Sequence, residues 1–148
     1  MKKISFAIVF SLVLFVSACQ TAQTNPSVSS VLENKMVTYA QLHNTQFKLQ
    51  TVNGQAVTGI NEEKQPRIAF DGKDHLNGMM CNGFFGAYTL ENNVLKSQVT
   101  STLMLCVKED LNRAEQSLFK LLSEGAQIQL TADTLTLKDD TTTFVFEK

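Results

Sequence analysis

The sequence predicts a mainly β (α+β) domain: a small antiparallel, barrel-like sheet covered by one amphipathic helix. Three observations carry that prediction. Short runs in which apolar and polar residues alternate recur along residues 47–146, as half-buried strands require. Turn-forming pairs such as Asn53-Gly54, Asp71-Gly72 and Asn92-Asn93 separate those runs at hairpin distances. Only one stretch, residues 111–122, shows apolar residues at helical spacing.

Taken in order, Phe47 and Leu49 alternate with Lys48 and Gln50 in a first strand, and Gln55–Thr58 returns from the Asn53-Gly54 turn. Asn61–Gln65 reads as a polar loop ending at Pro66, after which Ile68 and Phe70 alternate again. His75–Met80 is a further strand leading into residues 81–88, and a short Val94–Lys96 strand follows the turn at Glu91-Asn92-Asn93. In the helix, Leu111, Ala114, Leu118, Leu121 and Leu122 share one face. Glu109 and Asp110 favour its positive N-terminal end, and Gly125 suits its C-terminal stop. Ile128/Leu130, Leu135/Leu137 and Phe144/Phe146 then mark three strands with short polar connections, the pattern of antiparallel neighbours. A closed or nearly closed barrel would remove the exposed strand edges.

The N-terminus reads as an address. Lys2 and Lys3 precede a largely apolar run, Ile4–Val16, interrupted by Ser5 and Ser11. At ~1.5 Å per helical residue this run reaches roughly 20 Å, short of the ~30 Å hydrocarbon core, so it suits a secretory leader better than a membrane span. Val16-Ser17-Ala18-Cys19 resembles a bacterial lipobox, in which the cysteine sulfur carries diacylglycerol. Residues 1–18 are therefore expected to be a lipoprotein signal peptide and residues 19–38 a lipidated Cys19 with a flexible polar tether. The folded domain is expected at 39–148. Gln20, in place of an aspartate, directs the expected lipoprotein to the outer membrane of a Gram-negative envelope, facing the periplasm. The expected partners are thus the membrane, through the anchor on Cys19, and a protein in the periplasm.

Composition excludes other classes. The chain has 148 residues, 43% of them hydrophobic, with 2 prolines and 7 glycines, which is neither collagen-like nor disordered. Its formal net charge is −1, and loss of Lys2 and Lys3 leaves 11 basic groups against 14 acidic ones. No basic field for nucleic acid exists.

The stretch Gly78-Met79-Met80-Cys81-Asn82-Gly83-Phe84-Phe85-Gly86-Ala87-Tyr88 resembles the Gly…Cys-Asn…Gly-x-Tyr signature of META-domain proteins. Thr102-Leu103-Met104-Leu105-Cys106 resembles their Thr-x-Met-x-Cys element, again just ahead of a helix. The chain departs from the family at Phe47, where a tryptophan is common, and at Gly83, where many members carry arginine. The resemblance implies a small envelope protein tied to heat or envelope stress and, as for one member of the family, to tolerance of novobiocin-like antibiotics. It brings no catalytic mechanism and no cofactor.

With Cys19 lipidated, Cys81 and Cys106 form an even pair in an oxidising compartment, where a disulfide is expected. Two buried free thiols, or a reactive or metal-binding pair, are the alternatives. No Cys-x-x-Cys spacing is present, and no metal site is expected. His43 and His75 are the only histidines, and no hydrolase or metalloprotease motif frames them. His43 is expected to be solvated near a frayed start, and His75 to be solvated after a turn. Glu62-Glu63 and Asp139-Asp140 read as solvated turn carboxylates. Met79, Met80, Phe84 and Phe85 form the candidate binding surface, since adaptable thioether and aromatic side chains suit apolar recognition. On a strand Phe84 and Phe85 point to opposite faces, so one of them is expected in the core. Asn82 could cap a bulge or touch a ligand. These readings favour a non-enzymatic stress lipoprotein that binds protein, ahead of a barrel with a small apolar ligand in its mouth and a thiol enzyme.

Overall fold

The computed structural model describes residues 36–61 and 64–148. The leader, Cys19, residues 20–35 of the expected tether and the Glu62-Glu63 pair lie outside the described residues. Val37, at the end of the expected tether, packs against the domain. Val37 is buried, and its N–H donates to Asn93 Oδ1 at 2.7 Å. A single helical turn, α1 (Tyr39–Leu42), follows; its pattern is too short to show a period in the sequence. His43, expected at a frayed start, is instead half-buried behind α1, with Nε2 3.0 Å from Asp74 Oδ1.

Among the described residues ten strands and one long helix succeed it. The strands are β1 (Thr45–Val52), β2 (Gln55–Ala56), β3 (Arg67–Phe70), β4 (His75–Met79), β5 (Gly83–Glu91), β6 (Val94–Ser97), β7 (Thr100–Ser101), β8 (Ala126–Leu130), β9 (Thr134–Lys138) and β10 (Thr143–Glu147). The helix α2 (Glu109–Glu124) lies between β7 and β8. Eight strands close into an antiparallel barrel in the order β1-β3-β4-β5-β6-β8-β9-β10, and β10 pairs back onto β1. β2 extends the β3 side of β1, and β7 extends the β6 side of β5. A register irregularity between Leu49 and Thr51, where β1 meets β10, bends the strand at the seam.

The turns follow from residues that tolerate a left-handed backbone. Asn53 (φ 50) and Gly54 (φ 76) make the β1–β2 turn, and Asn92 (φ 50) and Asn93 (φ 60) make the β5–β6 turn. Alternation then fills the interior. Phe84, Gly86, Tyr88 and Leu90 of β5 face inward, whereas Phe85, Ala87 and Thr89 face outward. Phe47, Phe70, Phe144 and Phe146 pack the barrel together with Ile68, Leu76 and Leu95. An eight-stranded barrel is just wide enough to be filled by its own side chains. The apolar face of α2 joins this core, and the Phe119 ring meets Phe84 edge-on at 5.3 Å. Burial of these side chains at about 25 cal/mol per Å² is the main force holding helix to sheet.

Candidate functional site

The two sequence elements singled out above meet at one place. Cys81 and Asn82 occupy the tight turn between β4 and β5, where the Met80 N–H donates to the Asn82 carbonyl at 3.0 Å. Thr102–Cys106 follows β7, and β7 pairs with β5 beside that turn through Phe84–Ser101 and Phe85–Thr100. Cys81 and Cys106 are joined by a disulfide with a Cα–Cα distance of 5.8 Å.

Asn82 is the centre of a buried polar knot. Its carboxamide oxygen accepts the Met104 N–H at 2.7 Å and the Thr102 hydroxyl at 3.0 Å. Its backbone N–H donates to Glu115 Oε2 at 2.6 Å, and its Nδ2 donates to Glu115 Oε1 at 2.9 Å. Gly83 and Thr102 add a reciprocal pair, Thr102 N–H to Gly83 O at 2.9 Å and Gly83 N–H to Thr102 Oγ1 at 3.2 Å. Asn82 and Glu115 are both buried. A buried carboxylate is tolerable only when its lone pairs are engaged, and two donors from one asparagine engage both oxygens here. Glu115 escaped the sequence reading, because one acidic residue in a helix is indistinguishable from a solvated one until the fold supplies its donors.

The knot holds an apolar segment out in solvent. Leu103 is 98% exposed, Leu105 89% and Val107 77%, with Met104 half exposed between them. Lys108 anchors the far side, its Nζ donating to Thr58 O and Thr58 Oγ1, both at 2.9 Å. Burial normally removes such residues from water, so a run of them held open by part-buried hydrogen bonds to Asn82 is a specific feature. Between this segment and α2 runs a groove of about 510 Å³. Leu103 and Met104 line one wall, Asn112, Gln116 and Phe119 the other, and Asn82 and Glu115 contribute to its lining. The five-residue run Leu103–Val107 was the available sequence signal, since it has neither strand alternation nor helical spacing.

The expected binding surface is corrected here. Met80 and Phe84 are core residues, 0% and 3% exposed, and Met79 is half-buried. Phe85 alone among the four is exposed. The turn tucks Met80 inward, and the period of β5 sends Phe84 under α2.

The motif glycines are positions of close approach. A Cβ on Gly78 would lie 2.3 Å from Phe84 Cζ and 2.4 Å from the Arg67 carbonyl oxygen. One on Gly86 would lie 2.6 Å from the Gln98 carbonyl oxygen. Tyr88 stacks on Tyr39 with ring centroids 5.4 Å apart, and its buried hydroxyl has no partner among the described residues. Burial, reinforced by the charges of Asp74, Tyr39 and Asp71, pushes the Tyr88 phenol up to about 12. His75 Nδ1 lies 3.6 Å from Asp71 Oδ2 at the surface. Two backbone N–H groups, of His75 and then Lys73, hold the Asp71 carboxyl below the usual carboxylate range. Among the described residues no group of three or more His, Cys, Asp or Glu side chains is placed to hold a metal ion.

A family model described as the META domain matches residues 40–148. Over 102 residues the chain is 39% identical to the heat shock protein HslJ of Escherichia coli (strain K12), an overlap covering 68% of this chain and 71% of that protein. An NMR structure of a protein 37% identical to this chain has a TM-score of 0.69 and covers 76% of this chain and 95% of its own. A second NMR structure, of a protein from Burkholderia xenovorans, is 20% identical with a TM-score of 0.58, covering 74% of this chain and 84% of its own. That likeness is one of fold.

Proposed function

The chain belongs to the META domain family, and from that premise we propose that it is a non-enzymatic envelope lipoprotein of the heat-shock and stress-response type. It is anchored in the outer membrane through Cys19, faces the periplasm, supports tolerance of novobiocin-like antibiotics, and acts by binding protein. The observation that carries this reading is the exposure of Leu103, Met104, Leu105 and Val107 on a segment fixed by Cys81, Asn82, Thr102, Met104 and Cys106. The name of the Escherichia coli relative supports the stress association, and the lipobox-like Val16–Cys19 supports the anchor. The chemistry of the knot is that of presentation. Its carboxylate is engaged by Asn82, and its two sulfurs are bonded to each other.

The alternative is a small apolar ligand at the barrel mouth; the barrel interior itself is occupied by phenylalanine and leucine side chains.

The test is complementation of a deletion strain challenged with heat and with novobiocin. The wild-type gene should restore survival. Cys19→Ser, checked by loss of lipid labelling and of the membrane fraction, and Leu103→Ser/Leu105→Ser should not. Normal survival of the deletion strain under both stresses would refute the reading.

A further inference from the structure

Building on that protein-binding reading, we infer that the groove between the 102–107 segment and α2 takes an extended, uncharged apolar polypeptide segment. Asn112 and Gln116 stand four residues apart on the α2 wall. Each carboxamide offers both a donor and an acceptor, the complement of a peptide group. Four helical residues rise ~6 Å, close to the ~6.6 Å that two residues span in an extended chain. A strand lying along α2 therefore brings alternate peptide groups to successive amides, while its side chains meet Leu103, Met104 and Leu105 on the opposite wall. That is recognition by backbone, with apolar contacts adding affinity.

The lining favours a peptide over a bilayer. Among the described residues lining the groove, Glu115 is the one ionisable side chain, and both its oxygens are held by Asn82. Nothing there matches an anionic headgroup.

The test uses the full chain in phosphatidylcholine nanodiscs and a fluorescein-labelled peptide of alternating leucine and serine, read by anisotropy. Saturable binding is expected. Asn112→Ala/Gln116→Ala should weaken it roughly tenfold, the loss of two neutral hydrogen bonds, and N-methylation of alternate peptide amides should do the same. Leu103→Ser/Leu105→Ser should weaken it at least as much. Absence of saturable binding, equal binding of the N-methylated peptide, or indifference to the variants would overturn the inference. Protection of the 103–107 amides from hydrogen exchange by the nanodisc alone would assign the segment to lipid and also overturn it. If the peptide is not bound while Leu103→Ser/Leu105→Ser still fails to complement, the occupant is misassigned and the functional reading stands. If the peptide is bound yet that variant complements fully, the inference holds and the functional reading falls.

Discussion

Removing the Glu115 carboxylate should release both the helix and the apolar segment, by an amount that depends on what replaces it. In the native chain its two oxygens accept the Asn82 N–H at 2.6 Å and Asn82 Nδ2 at 2.9 Å. Glu115→Ala orphans two buried donors, each costing about 1–3 kcal/mol. Nδ2 keeps a long contact with the Met104 carbonyl oxygen at 3.5 Å, and water can reach it from the groove, so the expected loss is about 3 kcal/mol. Glu115→Gln keeps the shape and one acceptor but turns an amide N–H2 toward a donor, so about half that loss is expected. Urea unfolding of the purified variants should show the order Ala, Gln, wild type in rising midpoint, with an unchanged slope. Hydrogen exchange gives the local readout. The Asn82 and Met104 amides should lose protection in Glu115→Ala, while amides of β9 and β10 fall only by the global change. If Glu115→Ala stays within about 0.5 kcal/mol of wild type, or Met104 remains protected, Glu115 does not hold the knot.

Four further outcomes are expected. Cys81→Ala/Cys106→Ala opens a closure of 25 residues, which the chain-entropy relation puts at about 3.5 kcal/mol. Thermal denaturation should fall by roughly 14 °C, reductant should reproduce the loss in wild type, and insensitivity of wild type to reductant would contradict it. Gly78→Ala drives a methyl into Phe84 and the Arg67 carbonyl, costing about 2–3 kcal/mol in chemical denaturation; a neutral result would mean that β4 can move away from β3. Tyr88→Phe removes a buried, unpartnered hydroxyl and should raise stability by up to about 1 kcal/mol, whereas a clear loss would show that the hydroxyl has a partner. Because folding raises the Tyr88 phenol from 10.0 to about 12, its stability contribution is complete below pH 10 and is lost as pH rises through that window, a loss Tyr88→Phe should abolish in an alkaline melting series. The depressed Asp71 carboxyl works in the opposite direction, contributing above the ordinary carboxylate range and losing that contribution as pH falls; Asp71→Asn should flatten the acid limb of the same series, and an unchanged limb would refute its part.

What could be read from the sequence divides along a physical line. Alternation at Phe47/Leu49, Ile68/Phe70, Leu135/Leu137 and Phe144/Phe146 marks strands because each has one face in the core, and the helical spacing at 111–122 marks α2 for the same reason. α1 and β7 span four and two residues, too few for any period. Barrel closure rests on partners far apart in the chain, such as Leu49 with Phe146, and no local pattern encodes them. The motif residues were visible, but their joint role was not. Asn82 and Glu115 lie 33 positions apart, and only the docking of α2 beside the β4–β5 turn brings them together. The run Leu103–Val107 stood out as apolar without strand alternation or helical spacing, but only the fold shows that most of it stays in solvent. Met80 and Phe84 show the converse, residues suited to recognition that the fold consumed.

The seam between the first and last barrel strands also sets a clock on biosynthesis. Residues 48–52 of β1 find their partners on residues 144–147 of β10, so ribosomal output cannot close the barrel progressively. A nascent chain that holds β1 but not β10 leaves the edge of residues 48–52 unpaired, an adhesive edge for any neighbouring polypeptide. Only release of Glu147 supplies the missing partner. Closure thus waits on the last strand of the barrel, with the first held open until it arrives.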